Sequence, residues 1–282
     1  MDKAKGFFGA IFKNKQALVG FILLILFIGM AIAGVFIEVD MTVNYEERYQ
    51  KPSFKHILGT DYAGRDTFLQ LIKGSTDVLS IGLYAAVFTL ATGFIIGSAA
   101  GYIGGWADVF LMFLTDLFLT IPSFPLMMIA AATFNIKSNI TFAIVLSAFS
   151  WAGLARSVRA QILSLKEREF IVVCKAMGLS NTYIIFKEIM PNIISYLAIN
   201  FIHIVQGAIT SSVGLMLLGL SPYSPTNWGM MLNLAINNTG GIFNPKGYYY
   251  MLSPMLCIIL FQMACIFFSN GLDEALNPRL RS

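Results

Sequence analysis

Residues 78–107 read VLSIGLYAAVFTLATGFIIGSAAGYIGGWA, a run of 30 residues without a charged side chain. Residues 17–37, ALVGFILLILFIGMAIAGVFI, form a second such run of 21 residues. A helix that crosses a bilayer needs about 20 mostly apolar residues. Of the 282 residues, 57% are hydrophobic and 12% are charged, whereas a soluble domain is about 25% charged. This composition predicts an all-α membrane protein and excludes a soluble enzyme, a nucleic-acid-binding domain and a disordered chain.

Further apolar runs extend this pattern along the chain. They predict six transmembrane helices near residues 17–37, 80–101, 109–134, 139–156, 194–218 and 251–270. The predicted organisation is an N-terminal segment (1–16), a first transmembrane helix (17–37), a loop (38–77), a five-helix core (78–272) and a C-terminal tail (273–282). The core contains one long loop at 156–192 and another at 219–250.

The distribution of Lys and Arg predicts the orientation, because cytoplasmic loops of membrane proteins carry an excess of these residues. If the N-terminus lies inside, the inner segments hold 12 Lys and Arg residues in 59 positions, and the outer segments hold 7 in 77. Both termini and the loop at 156–192 are therefore predicted to be cytoplasmic. The loops at 38–77 and 219–250 are predicted to lie outside.

A cleaved secretory signal is the alternative interpretation of the first apolar run. Lysines precede that run, and Ala31-Ile32-Ala33 resembles a cleavage site. The run is long for a signal, and further predicted spans follow it, which favours a retained transmembrane helix. A mature N-terminus near residue 34 would instead establish cleavage.

The cytoplasmic loop contains a predicted helix with an apolar stripe. Phe170, Val173, Cys174 and Met177 follow the i, i+3, i+4, i+7 spacing that places side chains on one helical face. Gly178 is predicted to end this helix in a left-handed conformation.

A second short helix is predicted from about Asn181 to Met190, with Ser180 as its cap and Pro191 after its end. The apolar stripe has two interpretations. Either it packs on this protein or at the membrane surface, or it inserts into a groove of a cytoplasmic partner subunit. An uncovered stripe would cost free energy in water.

This loop resembles the coupling loop of the permease subunits of ATP-binding-cassette importers. That family's pattern is approximately Glu-Ala-Ala, then Gly, then Ile-x-Leu-Pro. The matching residues here are Val172-Val173-Cys174, Gly178 and Ile189-Met190-Pro191. The Gly and Pro positions agree with the family. Val172 replaces its Glu, which removes any polar contact that this carboxylate makes.

Other stretches resemble one branch of the family, the dipeptide, oligopeptide and nickel permeases of the C-subunit type. They are Leu58-Gly59-Thr60-Asp61 with Gly64-Arg65-Asp66, Gly101-Tyr102-Ile103-Gly104-Gly105-Trp106, Trp151-Ala152-Gly153-Leu154-Ala155-Arg156, Leu217-Leu218-Gly219-Leu220 and Asp273-Glu274-Ala275-Leu276-Asn277-Pro278-Arg279-Leu280. Each motif is weakly specific alone. By their order and spacing, the chain is identified as a member of this branch from about residue 8 to the end.

The resemblance implies a type I importer permease fold with six transmembrane helices and both termini cytoplasmic. It places the chain in the plasma (inner) membrane of a bacterium or archaeon. The implied partners, besides the lipid bilayer, are a second homologous permease, two cytoplasmic ATPase subunits and an extracytoplasmic solute-binding protein; nucleic acid is not among them. The resemblance also implies no enzymatic activity and no bound cofactor or metal, because the ATPase subunits bind ATP and Mg. The sequence agrees, since it contains no Gly-x-x-x-x-Gly-Lys-Ser/Thr phosphate loop.

The resemblance assigns ATPase coupling to residues of the cytoplasmic loop. They are Glu169, Phe170, Val172, Val173, Cys174, Ala176, Met177, Gly178, Ile189 and Pro191. Candidate contacts with the pathway or a partner are Asp116, His203 and Trp228. The alternative for Asp116 is a carboxylate near the inner membrane end that is hydrated or bonded to neighbours. For His203 the alternative is a packed, hydrogen-bonded core side chain.

Glycines recur at intervals of four residues in the second predicted span, at Gly93, Gly97 and Gly101. Small residues at this spacing let helices approach closely. The partner helix belongs either to this chain or to the second permease. In the third span, Pro122 and Pro125 predict a kink.

The leading functional hypothesis is a subunit of an ATP-driven importer of di- or oligopeptides. Nickel or a metal–metallophore complex is the alternative solute, because the same branch of the family carries both. A gradient-driven secondary transporter predicts paired intramembrane carboxylates or an inverted repeat, and the predicted spans contain only Asp116. A membrane scaffold or sensor without transport would have no use for a coupling loop.

Overall fold

The computed structural model describes residues 14–134, 136–222 and 224–276. These residues form the helices α1 (Lys15–Phe36), α2 (Thr67–Ile103), α3 (Gly105–Thr120), α4 (Ser123–Thr133), α5 (Asn139–Ala148), α6 (Trp151–Lys166), α7 (Glu169–Ala176), α8 (Asn181–Leu217), α9 (Trp228–Thr239) and α10 (Tyr248–Leu276). Short 3₁₀ turns lie at Tyr45–Glu47, Gly241–Phe243 and Pro245–Gly247. Residues 1–13 of the predicted N-terminal segment 1–16 lie outside the described residues. Residues 277–282 of the predicted tail 273–282 lie outside them as well.

Four helical segments are long and apolar enough to cross a membrane: α1, α2, α8 and Pro245–Glu274, which contains most of α10. Two further pairs pass the same test together, α3 with α4 at an angle of 85° and α5 with α6 at 57°. If each bent pair is one span, the described residues contain six. The predicted all-helical membrane class is confirmed, and the count of six spans stays a prediction.

Both bends have local causes. Pro122 directly precedes α4, and the break there confirms the predicted kink, because Pro has no N–H with which to continue a helix. At the second break, the Ser150 hydroxyl donates a hydrogen bond to the Leu146 carbonyl at 2.8 Å. A side-chain bond of this type favours a bend, although the same bond occurs at Thr115 within the unbroken helix α3.

The start of α2 at Thr67 corrects the predicted loop 38–77. The Asp66 carboxylate caps this helix and accepts a hydrogen bond from the Leu69 N–H at 2.9 Å. Charged residues such as Asp77 interrupt the apolar run without ending the helix. At 37 residues, α2 is about 55 Å long and exceeds the hydrocarbon core of about 30 Å.

A buried ion pair holds the turn that precedes α2. Asp61 is fully buried, and its Oδ2 accepts hydrogen bonds from Arg65 Nε at 2.8 Å and from Gln70 Nε2 at 3.2 Å. Its Oδ1 accepts the backbone N–H groups of Ala63 and Arg65. A buried carboxylate is tolerated only when it is paired and hydrogen-bonded in this way, so these motif residues fix the turn.

The helix α6 continues into the predicted cytoplasmic loop 156–192 and corrects its start. Arg156 and Arg159 end the predicted fourth span because they are charged. In the structure they pair with Asp116 and Asp108 of α3. Pairing across the two helices lets the α6 helix run on to Lys166.

The predicted outer loop 219–250 contains the helix α9, whose first residue is Trp228. The Trp228 side chain is completely buried, and its indole N–H donates to the Leu71 carbonyl of α2 at 3.0 Å. Its ring packs against Phe27 of α1 at a centroid distance of 5.7 Å. Because α1 and α2 enclose the indole, Trp228 packs within this chain, and its pathway or partner contact stays a prediction.

A close helix contact brings α2 against α6 along Gly93, Gly97 and Gly101. A Cβ on Gly97 would lie 2.4 Å from the Ala155 carbonyl oxygen, and a Cβ on Gly93 would lie 2.9 Å from Leu154. Real Cβ atoms do not approach other atoms this closely. The glycines therefore form a helix contact within this chain, and the alternative of a seam with a second permease is wrong for this face.

The α2–α6 contact predicts that Gly97→Ala lowers the thermal midpoint of the purified protein. The free energy of unfolding is expected to fall by about 1–3 kcal/mol, because the new methyl group overpacks the contact. Gly153→Ala on α6 is the matched control, since a Cβ there meets no described atom within 4 Å. Helix propensity predicts an unchanged or higher midpoint for the control. Equal midpoints for the two variants would contradict the close contact.

Candidate functional site

Buried isoleucines anchor the segment between α6 and α8. Ile171 of α7 and both Ile184 and Ile189 of α8 are fully buried. They belong to one apolar cluster with residues of α2 and α6, among them Phe94 and Ile162. The segment is therefore packed onto the helical bundle. Ile189, a predicted coupling residue, lies in this anchor, and its side chain does not reach the surface.

The turn between α7 and α8 has the predicted form. Gly178 has a φ of +74°, which favours glycine. The Leu179 N–H donates to the Cys174 carbonyl at 3.2 Å, which closes the end of α7. The Ser180 hydroxyl accepts a hydrogen bond from the Tyr183 N–H at 3.3 Å. The predicted helix end and the predicted cap are both confirmed.

The helix α8 differs from the prediction of a short helix followed by a separate span. It continues through Pro191 because Ile184–Ile189 form a π turn, in which the Met190 N–H donates to the Ile185 carbonyl. Pro191 lacks an N–H and would clash with a carbonyl of a regular helix. Local π geometry accommodates such a residue within a membrane helix. The Pro191 side chain is exposed.

One face of α7 presents apolar side chains to the surroundings. We define the coupling face as Phe170, Val172, Val173 and Met177, which are 39%, 54%, 55% and 70% exposed. The predicted stripe included Cys174 and not Val172, whereas in the structure Val172 is exposed and Cys174 is not. Cys174 is half-buried against the anchor cluster, because Ile171 on the same helix turns that side inward. An apolar Val172 occupies the surface position at which the family carries Glu.

Four further residues of this segment are exposed. Glu169 and Ala176 are exposed, and their coupling role stays a prediction. Tyr183 and Phe186 at the start of α8 are also exposed, and the sequence reasoning missed them. Tyr183 and Phe186 follow the Ser180 cap at successive intervals of three residues. This helical spacing is the signal that could have identified them.

Two ion pairs join α3 to α6 beside this segment. Asp108 pairs with Arg159, and Asp116 pairs with Arg156. The side chains of Asp116 and Arg156 are both more than half exposed. The alternative in which Asp116 is bonded to its neighbours therefore describes this structure, and a role in the pathway or at a partner stays a prediction.

His203 lies on α8 with an exposed side chain and without a hydrogen-bond partner among the described residues. The alternative of a packed, hydrogen-bonded core histidine is wrong, because the ring points out of the bundle. The three candidate contact residues Asp116, His203 and Trp228 lie on α3, α8 and α9, and no hydrogen bond or ion pair among the described residues joins them. In the part of the chain that the structure describes, no group of three or more His, Cys, Asp or Glu could hold a metal ion.

Comparison with known proteins gives matches over most of the chain. The family described as binding-protein-dependent transport system inner membrane component matches residues 93–282. The oligopeptide transport system permease protein OppC of Bacillus subtilis (strain 168) is 34% identical over 275 residues, which cover 95% of this chain and 87% of that protein.

Two other relatives agree with this result. OppC of Mycobacterium tuberculosis (strain ATCC 25618 / H37Rv) is 33% identical over 242 residues, 85% of this chain and 81% of that protein. The dipeptide transport system permease protein DppC of Alkalihalophilus pseudofirmus is 32% identical over 273 residues, 96% of this chain and 88% of that protein.

These matches confirm the resemblance to importer permeases that the sequence motifs indicate. Members of this family are non-catalytic membrane subunits of transporters. With its apolar helices, the protein is a multi-pass membrane protein. The chain belongs to the family of binding-protein-dependent transport system inner membrane components.

Proposed function

We propose that this chain forms half of the translocation pathway of an ATP-binding-cassette importer for di- or oligopeptides. Family membership supports the importer, and the names of the relatives support the peptide over nickel or a metal–metallophore complex. A second homologous permease forms the other half of the pathway. An extracytoplasmic binding protein delivers the peptide, and the complex resides in the plasma (inner) membrane of a bacterium or archaeon.

The coupling face is the observation that carries this proposal. Its apolar side chains are exposed on a helix whose opposite side is fixed by Ile171. An apolar helix face of this kind is typical of a partner that binds it in a groove. We assign that groove to one of two cytoplasmic ATPase subunits, which bind ATP and Mg.

The anchor explains how a movement of the ATPase reaches the membrane helices. The α7 helix and the first turns of α8 share one apolar cluster with α2 and α6. Close-packed interiors transmit displacement because they deform little. Nucleotide binding therefore shifts the balance between two helix arrangements by its different affinity for each.

We propose a topology of six spans with both termini in the cytoplasm. The distribution of Lys and Arg supports this orientation. The two bent helix pairs supply the third and fourth spans. The coupling face then lies on the cytoplasmic side, where the ATPase subunits bind.

Val173→Asp is expected to lower peptide uptake and peptide-stimulated ATP hydrolysis by about 100-fold or more in proteoliposomes. An unpaired charge forced into an interface costs roughly 3–5 kcal/mol. The side chain is 55% exposed, so the thermal midpoint of the permease is expected to be unchanged.

The matched control is Val43→Asp, since Val43 is 53% exposed and lies in the predicted outer segment. We expect this variant to retain uptake and coupled hydrolysis. Full activity of Val173→Asp, or an equal loss in both variants, would contradict the assignment of the coupling face.

Cysteine labelling tests the proposed orientation. In a variant whose cysteines Cys174, Cys257 and Cys265 are replaced by Ala, Phe54→Cys and Glu167→Cys each supply one surface thiol, and Glu167 lies outside the coupling face. A membrane-impermeant maleimide is expected to label the first in intact cells and the second only after permeabilisation. The reverse pattern would contradict the orientation.

A further inference from the structure

A cavity of about 220 Å³ lies where α2, α4, α5 and α8 meet. Thr89, Ser123, Ser150 and Ser211 line it together with Gly207, and of their hydroxyls that of Ser150 already donates to the Leu146 carbonyl. No charged side chain lines this cavity. Hydroxyls gathered inside an otherwise apolar bundle indicate a polar, uncharged occupant.

Thr89 is the strongest sign that this cavity accepts a ligand group. Its side chain is 1% exposed, and its hydroxyl has no hydrogen-bond partner within the described part of the chain. By contrast, the buried Thr115 hydroxyl of α3 donates to the Leu111 carbonyl at 2.7 Å. The hydroxyl of a threonine within a helix can therefore pair with the carbonyl of the residue four positions earlier. Buried polar groups are usually paired. Thr89 differs from other unpaired buried groups, such as the Ser98 hydroxyl, because it lines this cavity.

The face of α8 that carries the lining residues Gly207 and Ser211 is polar as well. Asn200, His203, Gly207 and Ser211 recur at i, i+3, i+7 and i+11, which places them on one side of the helix. Lipid tails cannot hydrogen-bond to these groups, and polar residues within a span face a partner or a watery path. Gly207 and Ser211 therefore connect the cavity to a polar stripe along α8.

The size of the cavity limits what it can hold. Sites that enclose a whole small ligand measure about 300–1,000 Å³, and this cavity is smaller. It can accommodate one residue of an extended peptide. A second permease would supply the opposite wall.

We propose that this cavity binds the main-chain amide groups of the peptide during its passage, with Thr89 as the principal hydrogen-bonding residue. This proposal rests on the proposed peptide import. Main-chain groups are common to all peptides, and a wall without charge does not discriminate between acidic and basic side chains. The cavity therefore makes the pathway tolerant of peptide sequence.

The first test compares Thr89→Val, Thr89→Ser and Thr115→Val in the reconstituted complex. Uptake of trialanine is measured together with uptake of its variants carrying a central Glu or Lys. Loss of one neutral hydrogen bond predicts a decrease of about two- to tenfold for Thr89→Val. The decrease is expected to be the same for all three peptides. Thr89→Ser and Thr115→Val are expected to transport normally.

The thermal midpoint of Thr89→Val separates a transport role from a structural one. Removal of an unpaired hydroxyl is expected to leave the midpoint equal or higher. Normal uptake by Thr89→Val, or a loss confined to one charged peptide, would overturn the proposal. A wild-type complex that takes up no peptide would refute the proposed function itself.

The second test does not depend on removing a hydroxyl from the core. Ser211→Cys in the cysteine-free background is treated with the cationic reagent trimethylammonium-ethyl methanethiosulfonate. We expect modification that slows when the binding protein delivers trialanine. Leu26→Cys on the exposed side of α1 is the control and is expected to stay unmodified in lipid. An unreactive Ser211→Cys, or one that peptide does not protect, would overturn the site.

Discussion

The close approach of α2 to α6 is the contact on which the rest of the molecule depends. Lipid tails are as apolar as the helices, so helix association in a membrane relies on close packing rather than on burial from water. Gly93, Gly97 and Gly101 bring the two backbones together, and the Lys166 ammonium reaches the Gly101 carbonyl at 3.2 Å. The apolar cluster beneath this contact then receives α7 and the start of α8.

Two departures from the expected distribution of polarity mark the candidate sites. The coupling face places apolar side chains where the proposed topology has cytoplasm, and the cavity beside Thr89 places hydroxyls among apolar helices. Each arrangement is unfavourable in the isolated chain, because the first exposes apolar surface and the second leaves a polar group unpaired. In the proposed complex, an ATPase subunit covers the apolar surface and a peptide pairs with the hydroxyl. The chain is therefore understood best as one part of a larger complex.

Local sequence signals predicted the elements that depend on local physics. The uncharged runs identified the helices, Gly178 marked the end of α7, Ser180 marked the cap of α8 and Pro122 marked a kink. Features that depend on distant contacts were not predictable. In the sequence, Trp228 is an aromatic residue in a predicted loop. Only the structure shows that α1 and α2 enclose its side chain. Within the candidate site, residue spacing predicted an exposed apolar stripe on α7. It did not predict that Ile171 is buried, which turns Cys174 inward and leaves Val172 at the surface.

The contact between the coupling face and an ATPase subunit is tested most directly by photocrosslinking in the assembled transporter. A photoreactive residue placed at Met177 is predicted to yield an adduct with the mass of the permease plus one ATPase subunit. The same residue placed at Phe54, in the segment proposed to lie outside, is predicted to yield no such adduct. Crosslinks from position 177 only to lipid or to this chain itself would contradict the account.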